Sequence, residues 1–188
     1  MDISLILIGI GVILLIAIAA TYNSLIGRRN QVQNAESSVD VMLKKRYDLI
    51  PNLVETVKQY MNHEKELLES ITALRSKLIS QPLGKSERNA LENELSQGLR
   101  QLNINVENYP DLKANENFLN LQYNLNEIES QISASRRAFN AAVLDYHNGL
   151  DKFPSNIIAG FFNFKREEFF DIAPAERDNP SVKNLFND

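Results

Sequence analysis

Between Ile3 and Ile26 the chain carries no charged side chain, and no later stretch of that length is comparably apolar. A helix rises about 1.5 Å per residue, so this segment would extend about 36 Å, enough to cross a hydrocarbon core of about 30 Å with some tilt. A transmembrane helix over 3–26 is thus the feature around which the remaining residues must fold. A cleaved signal peptide is the competing assignment, because Ala17-Ile18-Ala19 has the small-x-small pattern of a cleavage site. The flanks oppose it: Met1-Asp2-Ile3-Ser4 lacks the basic start of a signal peptide, whereas Arg28, Arg29, Lys44, Lys45 and Arg46 all follow the span. Lys/Arg bias near a span sets its orientation. The expected topology is a single pass through the cell membrane, residues 1–2 outside and the domain in the cytoplasm.

Once the anchor is set aside, roughly 160 residues remain, which suits one domain able to bury a core. The formal charge of -4 gives no basic face for nucleic acid. Cysteine is absent, which excludes a disulfide framework and a thiolate nucleophile. Seven Gly among 188 residues, beside plentiful Leu, Asn, Glu and Ala, point to helices rather than sheets or Gly-rich phosphate loops.

Helical periodicity follows. Leu25, Val32, Val39, Leu53, Tyr60, Leu67 and Leu74 recur at sevens, with Arg46 the one polar residue in the series. Ala35, Met42 and Leu49 accompany the first half, Val57, Ile71 and Leu78 the second, so the stripe drifts by one position near Pro51. A proline inside a helix removes a donor and clashes with the preceding turn, at about 3 kcal/mol. Asp48 can cap a new helix with Pro51 in its first turn, which favours a turn there; the persistent sevenfold spacing favours one kinked helix instead. Ser80-Gln81-Pro82-Leu83-Gly84 breaks the chain, and Ser86 can cap a helix running to about Asn108. After Tyr109-Pro110-Asp111, Asn115 or Asn117 can cap a last long helix in which Phe118, Leu125, Ile132, Phe139, Tyr146 and Phe153 repeat at sevens. Ser135, Ala142 and Gly149 on its adjoining positions let a neighbour approach closely.

The expected fold is all-α: a transmembrane helix, then an antiparallel up-and-down bundle of four helices over 27–153, the alternative being three long helices with a kink at Pro51. An aromatic segment, 154–170, packs on the bundle or the membrane, and 171–188 forms a mostly disordered tail. A turn at Pro51 returns the aromatic segment to the membrane-facing end of the bundle; a kinked helix sends it to the far end.

Several blocks match a known pattern. Tyr22-Asn23, Arg29-Asn30-Gln31-Val32, the run from Lys44 through Pro51 to Val57, His63-Glu64, the run from Glu107 through Tyr109-Pro110-Asp111 to Phe118, Arg136, Asn140, Phe153-Pro154-Ser155-Asn156 and Ala159-Gly160 together resemble the LemA family. Pro180-Ser181-Val182 only loosely matches the short motif that ends the family's chains. The resemblance implies a bacterial single-pass membrane protein with an up-and-down helical bundle, strengthens the turn near Pro51, and supplies no reaction.

Residue chemistry points the same way. His63-Glu64 begins like a zinc-protease motif, but Leu67 stands where the second His would share the helix face. No catalytic residue, metal site, cofactor or small-molecule substrate is expected. The candidate interaction residues are the cations Lys44, Lys45 and Arg46, the polar turn of Tyr109, Asp111 and Lys113, and the aromatics Phe161, Phe162 and Phe164. The cations would otherwise form a solvated helix end, and the turn a plain inter-helix connection. The expected function is a non-enzymatic, membrane-tethered interaction protein whose partners are lipid through the anchor and an envelope or cytoplasmic protein, or a second copy of itself. A membrane-surface module that binds or shapes lipid is the alternative.

Overall fold

The computed structural model describes residues 3–61 and 63–170, and all regular secondary structure among them is helical. Six helices follow one another: α1 (Ile3–Lys58), α2 (Lys65–Ser80), α3 (Lys85–Val106), α4 (Pro110–Lys113), α5 (Glu116–Asp151) and α6 (Ser155–Phe161). The tail expected at 171–188 and the start of the chain, 1–2, lie outside the described residues. The long-range contacts divide the fold into two units, a first comprising residues 3–44 with 128–169 and a second comprising 45–127.

Residues 3–18 of α1 hold their large apolar side chains outward, and none of the most apolar window is buried by protein. A core helix of a soluble domain would bury them; this one is long and apolar enough to cross a membrane. Without a linker the same helix enters the core of the first unit. There Leu25, Val32, Val39 and Leu43 from α1 and Ile132, Phe139, Val143 and Tyr146 from α5 are all buried. The two helices run antiparallel here, Leu25 lying against Gly149 and Arg28 reaching Asp145. A Cβ built on Gly149 would stand 2.9 Å from Cδ of Arg28, so the small residue at this position permits the close approach its spacing suggested.

The turn expected at Asp48 to Pro51 does not occur. α1 continues through Pro51 to Lys58, and the chain breaks at 59–64 instead. Pro51 has no N–H for the carbonyl of Tyr47, four residues earlier, and that carbonyl accepts a 2.7 Å hydrogen bond from Nε of Arg75 on α2. A side chain from another helix thus supplies the missing donor. At the true break the N–H groups of Tyr60 and Met61 both bond back to the carbonyl of Val57, and Met61 is buried. The sevenfold series does not survive that break: on α2 the buried residues are Leu68 and Ile71, with Leu67 and Leu74 only half-buried.

α3 starts one residue earlier than its expected cap. Gly84 holds the N-cap position and Ser86 falls in the first turn. Leu95, Leu99, Leu102 and Val106 are buried, and Gly98 lets Ile71 of α2 pack at 3.1 Å from where a Cβ would stand. The cap of α5 is Asn115, whose Oδ1 accepts the N–H of Phe118 at 3.0 Å. Its series is buried from Phe118 through Leu125, Ile132 and Phe139 to Tyr146, but its expected last member, Phe153, lies beyond the end of α5 and is exposed.

The substitution of Arg75 tests the proline account. Arg75→Leu should destabilise the parent by about 1–3 kcal/mol, the cost of an unpaired acceptor. In a Pro51→Ala background, where the backbone again supplies the donor, the same change should cost well under half as much. Thermal melts of the four detergent-solubilised proteins check this; equal losses in both backgrounds would refute it.

Candidate functional site

Two clusters gather the polar and aromatic residues, one within each unit. In the second unit Arg46 sits on the apolar stripe of α1, completely buried. Its Nη2 donates to the carboxylate of Glu92 on α3, which is also buried, and its Nη1 donates to Oγ of Ser96 at 2.9 Å. The other oxygen of Glu92 accepts the hydroxyl of Tyr47. A buried guanidinium is tolerable only with a matched anion and further hydrogen bonds, and α3 provides both one turn apart. Arg46 is therefore a structural ion and not a surface contact, whereas its neighbours Lys44 and Lys45 are exposed. None of the three stands at a helix end, since α1 continues for twelve residues beyond Arg46.

A second polar set closes the same unit. Tyr109 donates its hydroxyl to Glu64 at 2.6 Å, and Asn115 donates to the hydroxyl of Tyr60 at 3.0 Å. The carboxylate of Glu64, by accepting that bond, raises the Tyr109 phenol above its ordinary value, with desolvation adding in the same direction. Lys113 pairs with Glu107, and Asp111 is exposed in the first turn of α4. These contacts tie the 59–64 connection to α4 and the start of α5, which is what an inter-helix connection requires. Among the described residues no three His, Asp or Glu side chains converge as a metal site.

Although the chain does not turn at Pro51, the aromatic segment does not go to the far end: α5 runs back along α1 in the first unit, and the segment folds against the end of the apolar stretch. α6 ends in a tight C-terminal turn: Asn163 takes φ 54°, the N–H of Phe164 returns to the carbonyl of Ala159 at 3.0 Å, and that of Asn163 to Gly160 at 3.2 Å. Asn is among the few side chains that adopt this left-handed conformation readily. The turn lays Phe162 and Phe164 on Tyr22, ring centroids 4.8 and 5.7 Å apart, while Arg29 stands over Phe164. Beyond it Tyr146 donates to the carbonyl of Lys165 at 2.9 Å, and burial raises its phenol above the ordinary value despite the opposing charge of Arg29. Arg166 pairs with Asp151, and Phe169 stands edge-on to His147. A groove of about 370 Å³ opens between these elements, lined among others by Tyr22, Arg29, Tyr146, Phe164 and Lys165.

Of the residues singled out in the sequence, Phe162 and Phe164 meet in one place, Tyr109 and Lys113 hold a connection, and Phe161 points outward. Glu92 and Arg75 were not anticipated. For Glu92 a signal existed: it shares the buried spacing of Leu95, Leu99 and Leu102, and a carboxylate there must answer a cation.

Fold and clusters define an all-helical protein with, among the described residues, one helix long and apolar enough to cross a membrane and, in its second unit, polar clusters that join helices. The model of the LemA family matches residues 35–184, and the chain belongs to that family. It is 27% identical over 165 residues to Protein LemA of Metamycoplasma hominis, an alignment covering 88% of this chain and 75% of that protein. It is also similar to Magnetosome protein MamQ 2 of Paramagnetospirillum magneticum, 26% identical with 92% and 74% covered. Magnetosome protein MamQ of Magnetospirillum gryphiswaldense is 24% identical, with 94% and 75% covered.

The buried pair yields a directional test. Glu92→Leu, which leaves Arg46 facing no carboxylate, should destabilise the second unit by about 3–5 kcal/mol. Adding Arg46→Met to that variant should recover most of the loss, as measured by denaturant midpoints in detergent. A double variant as unstable as the single one would show that the pair is not the source of the cost.

Proposed function

We propose that this LemA-family chain is a non-enzymatic, membrane-tethered interaction protein that presents a fixed helical surface to another envelope or cytoplasmic protein, or to a second copy of itself. The observation that carries the proposal is the junction after Ile26: α1 passes from the apolar segment into the packed core of the first unit with no linker. A tether that only kept a catalyst near a membrane would tolerate a flexible joint, whereas a continuous helix fixes which face is presented. The buried charged pair Arg46 and Glu92 and the half-buried Glu64 with Tyr109 serve helix contacts. On the surface, Leu119 and Tyr123 stand exposed one turn apart on α5, an apolar contact available to a partner.

Orientation follows from flanking charge. Arg28 and Arg29 retain the span's second flank on the cytoplasmic side, and the domain lies there. Protease added to intact protoplasts should spare the domain. Degradation while a cytosolic control survives would reverse the orientation.

Interaction is tested by proximity labelling with the intact protein in its native membrane. A reproducible neighbour set is expected, and a Gly-Ser insertion after Ile26 that leaves the melting temperature unchanged should deplete it severalfold. Labelling no different from that of residues 1–26 fused to an unrelated soluble domain would overturn the proposal.

A further inference from the structure

The apolar side chains of α6 divide between two faces. Ala159 is buried and Phe162 packs on Tyr22, but Ile157 and Phe161, one turn apart on the other face, are 63% and 84% exposed. Phe153, just before the helix, is 81% exposed. The element thus keeps one apolar face against the first unit and leaves a second largely exposed, Phe161 meeting only the edge of Phe162, with ring centroids 5.1 Å apart.

Its neighbour identifies what covers that second face. Tyr22 belongs to the same uncharged stretch as the span, and about 20 residues counted from Ile3 fill a hydrocarbon core, which puts its ring at the boundary with the headgroups. An element whose Phe162 and Phe164 touch that ring stands at the same depth. We infer that α6 is an interfacial helix, with Phe153, Ile157 and Phe161 entering the boundary between headgroups and acyl chains of the bilayer that α1 crosses. The inference rests on the anchoring of α1 and goes beyond it, because a spanning helix alone requires no second lipid contact.

The charge arrangement specifies the kind of contact. Arg28 is paired with Asp145 and Arg166 with Asp151, while Glu167 and Glu168 follow Lys165 closely in the chain. Arg29 over Phe164 and the exposed Lys152 add cations nearby, but the face itself, Phe153, Ile157 and Phe161, carries no charge, so the attraction is apolar and does not require anionic lipid.

The chain has no cysteine, so single ones can be introduced for a fluorescent label. Full-length Ile157→Cys, Phe161→Cys, Leu14→Cys and Ser130→Cys proteins, labelled and reconstituted, would be quenched by nitroxide-bearing lipids and by aqueous iodide. Vesicles of phosphatidylcholine alone would be compared with equal parts phosphatidylcholine and phosphatidylglycerol. Labels at 157 and 161 should be quenched severalfold more by shallow nitroxide lipid than the label at 130, equally in both vesicle types. Iodide quenching at 157 and 161 equal to that at 130 would overturn the inference. So would protection from both quenchers, which would mean a protein cover, or lipid contact confined to the anionic vesicles. Deep quenching at Leu14 with aqueous labels at 157 and 161 would remove α6 from the bilayer while leaving the anchor in place. An aqueous label at Leu14 would remove both.

Discussion

A helix that carries a proline in its middle and a guanidinium on its buried stripe cannot be stable by itself. Pro51 leaves the Tyr47 carbonyl without an intrahelical donor, and Arg46 faces the core with a full charge. Both requirements are met from outside α1: Arg75 of α2 donates to the carbonyl, and Glu92 of α3 accepts from the guanidinium. Residues 45–58 of α1 and the α2–α3 hairpin are therefore mutually dependent. A change to either partner would be felt on α1 as an unsatisfied polar group rather than as a lost apolar contact. That dependence concentrates the specificity of the second unit in a few side chains.

What could be read from the residues was governed by how local the determining interaction is. Apolar segment, helical class and the stripe of α5 depend on spacing within one element, and Phe118 through Tyr146 proved buried in that order. The cap at Asn115 uses a partner three residues away and was equally legible. At Pro51 the local cap chemistry favours a turn and the sevenfold spacing a continuous helix; the helix forms, because the donor that rescues it lies on α2, where no local rule looks. Arg46 was seen as an anomaly in an apolar series but assigned to the surface cations, since its anion lies on another helix, at Glu92. The aromatic segment was recognised by its density of Phe, whereas its conformation depends on the left-handed turn at Asn163, which only the fold reveals.

The continuity of α1 between Ile26 and Val32 has a mechanical meaning. With the span inserted, the tilt of α1 is set by the match between its apolar length and the thickness of the hydrocarbon core around it. Having no joint at that point, Leu25, Val32 and Val39 inherit the tilt, and so do the α5 residues packed with them in the first unit. A thicker bilayer would bring the helix upright and a thinner one would lean it further. The angle of the first unit to the membrane plane would then follow the thickness of the lipid around α1.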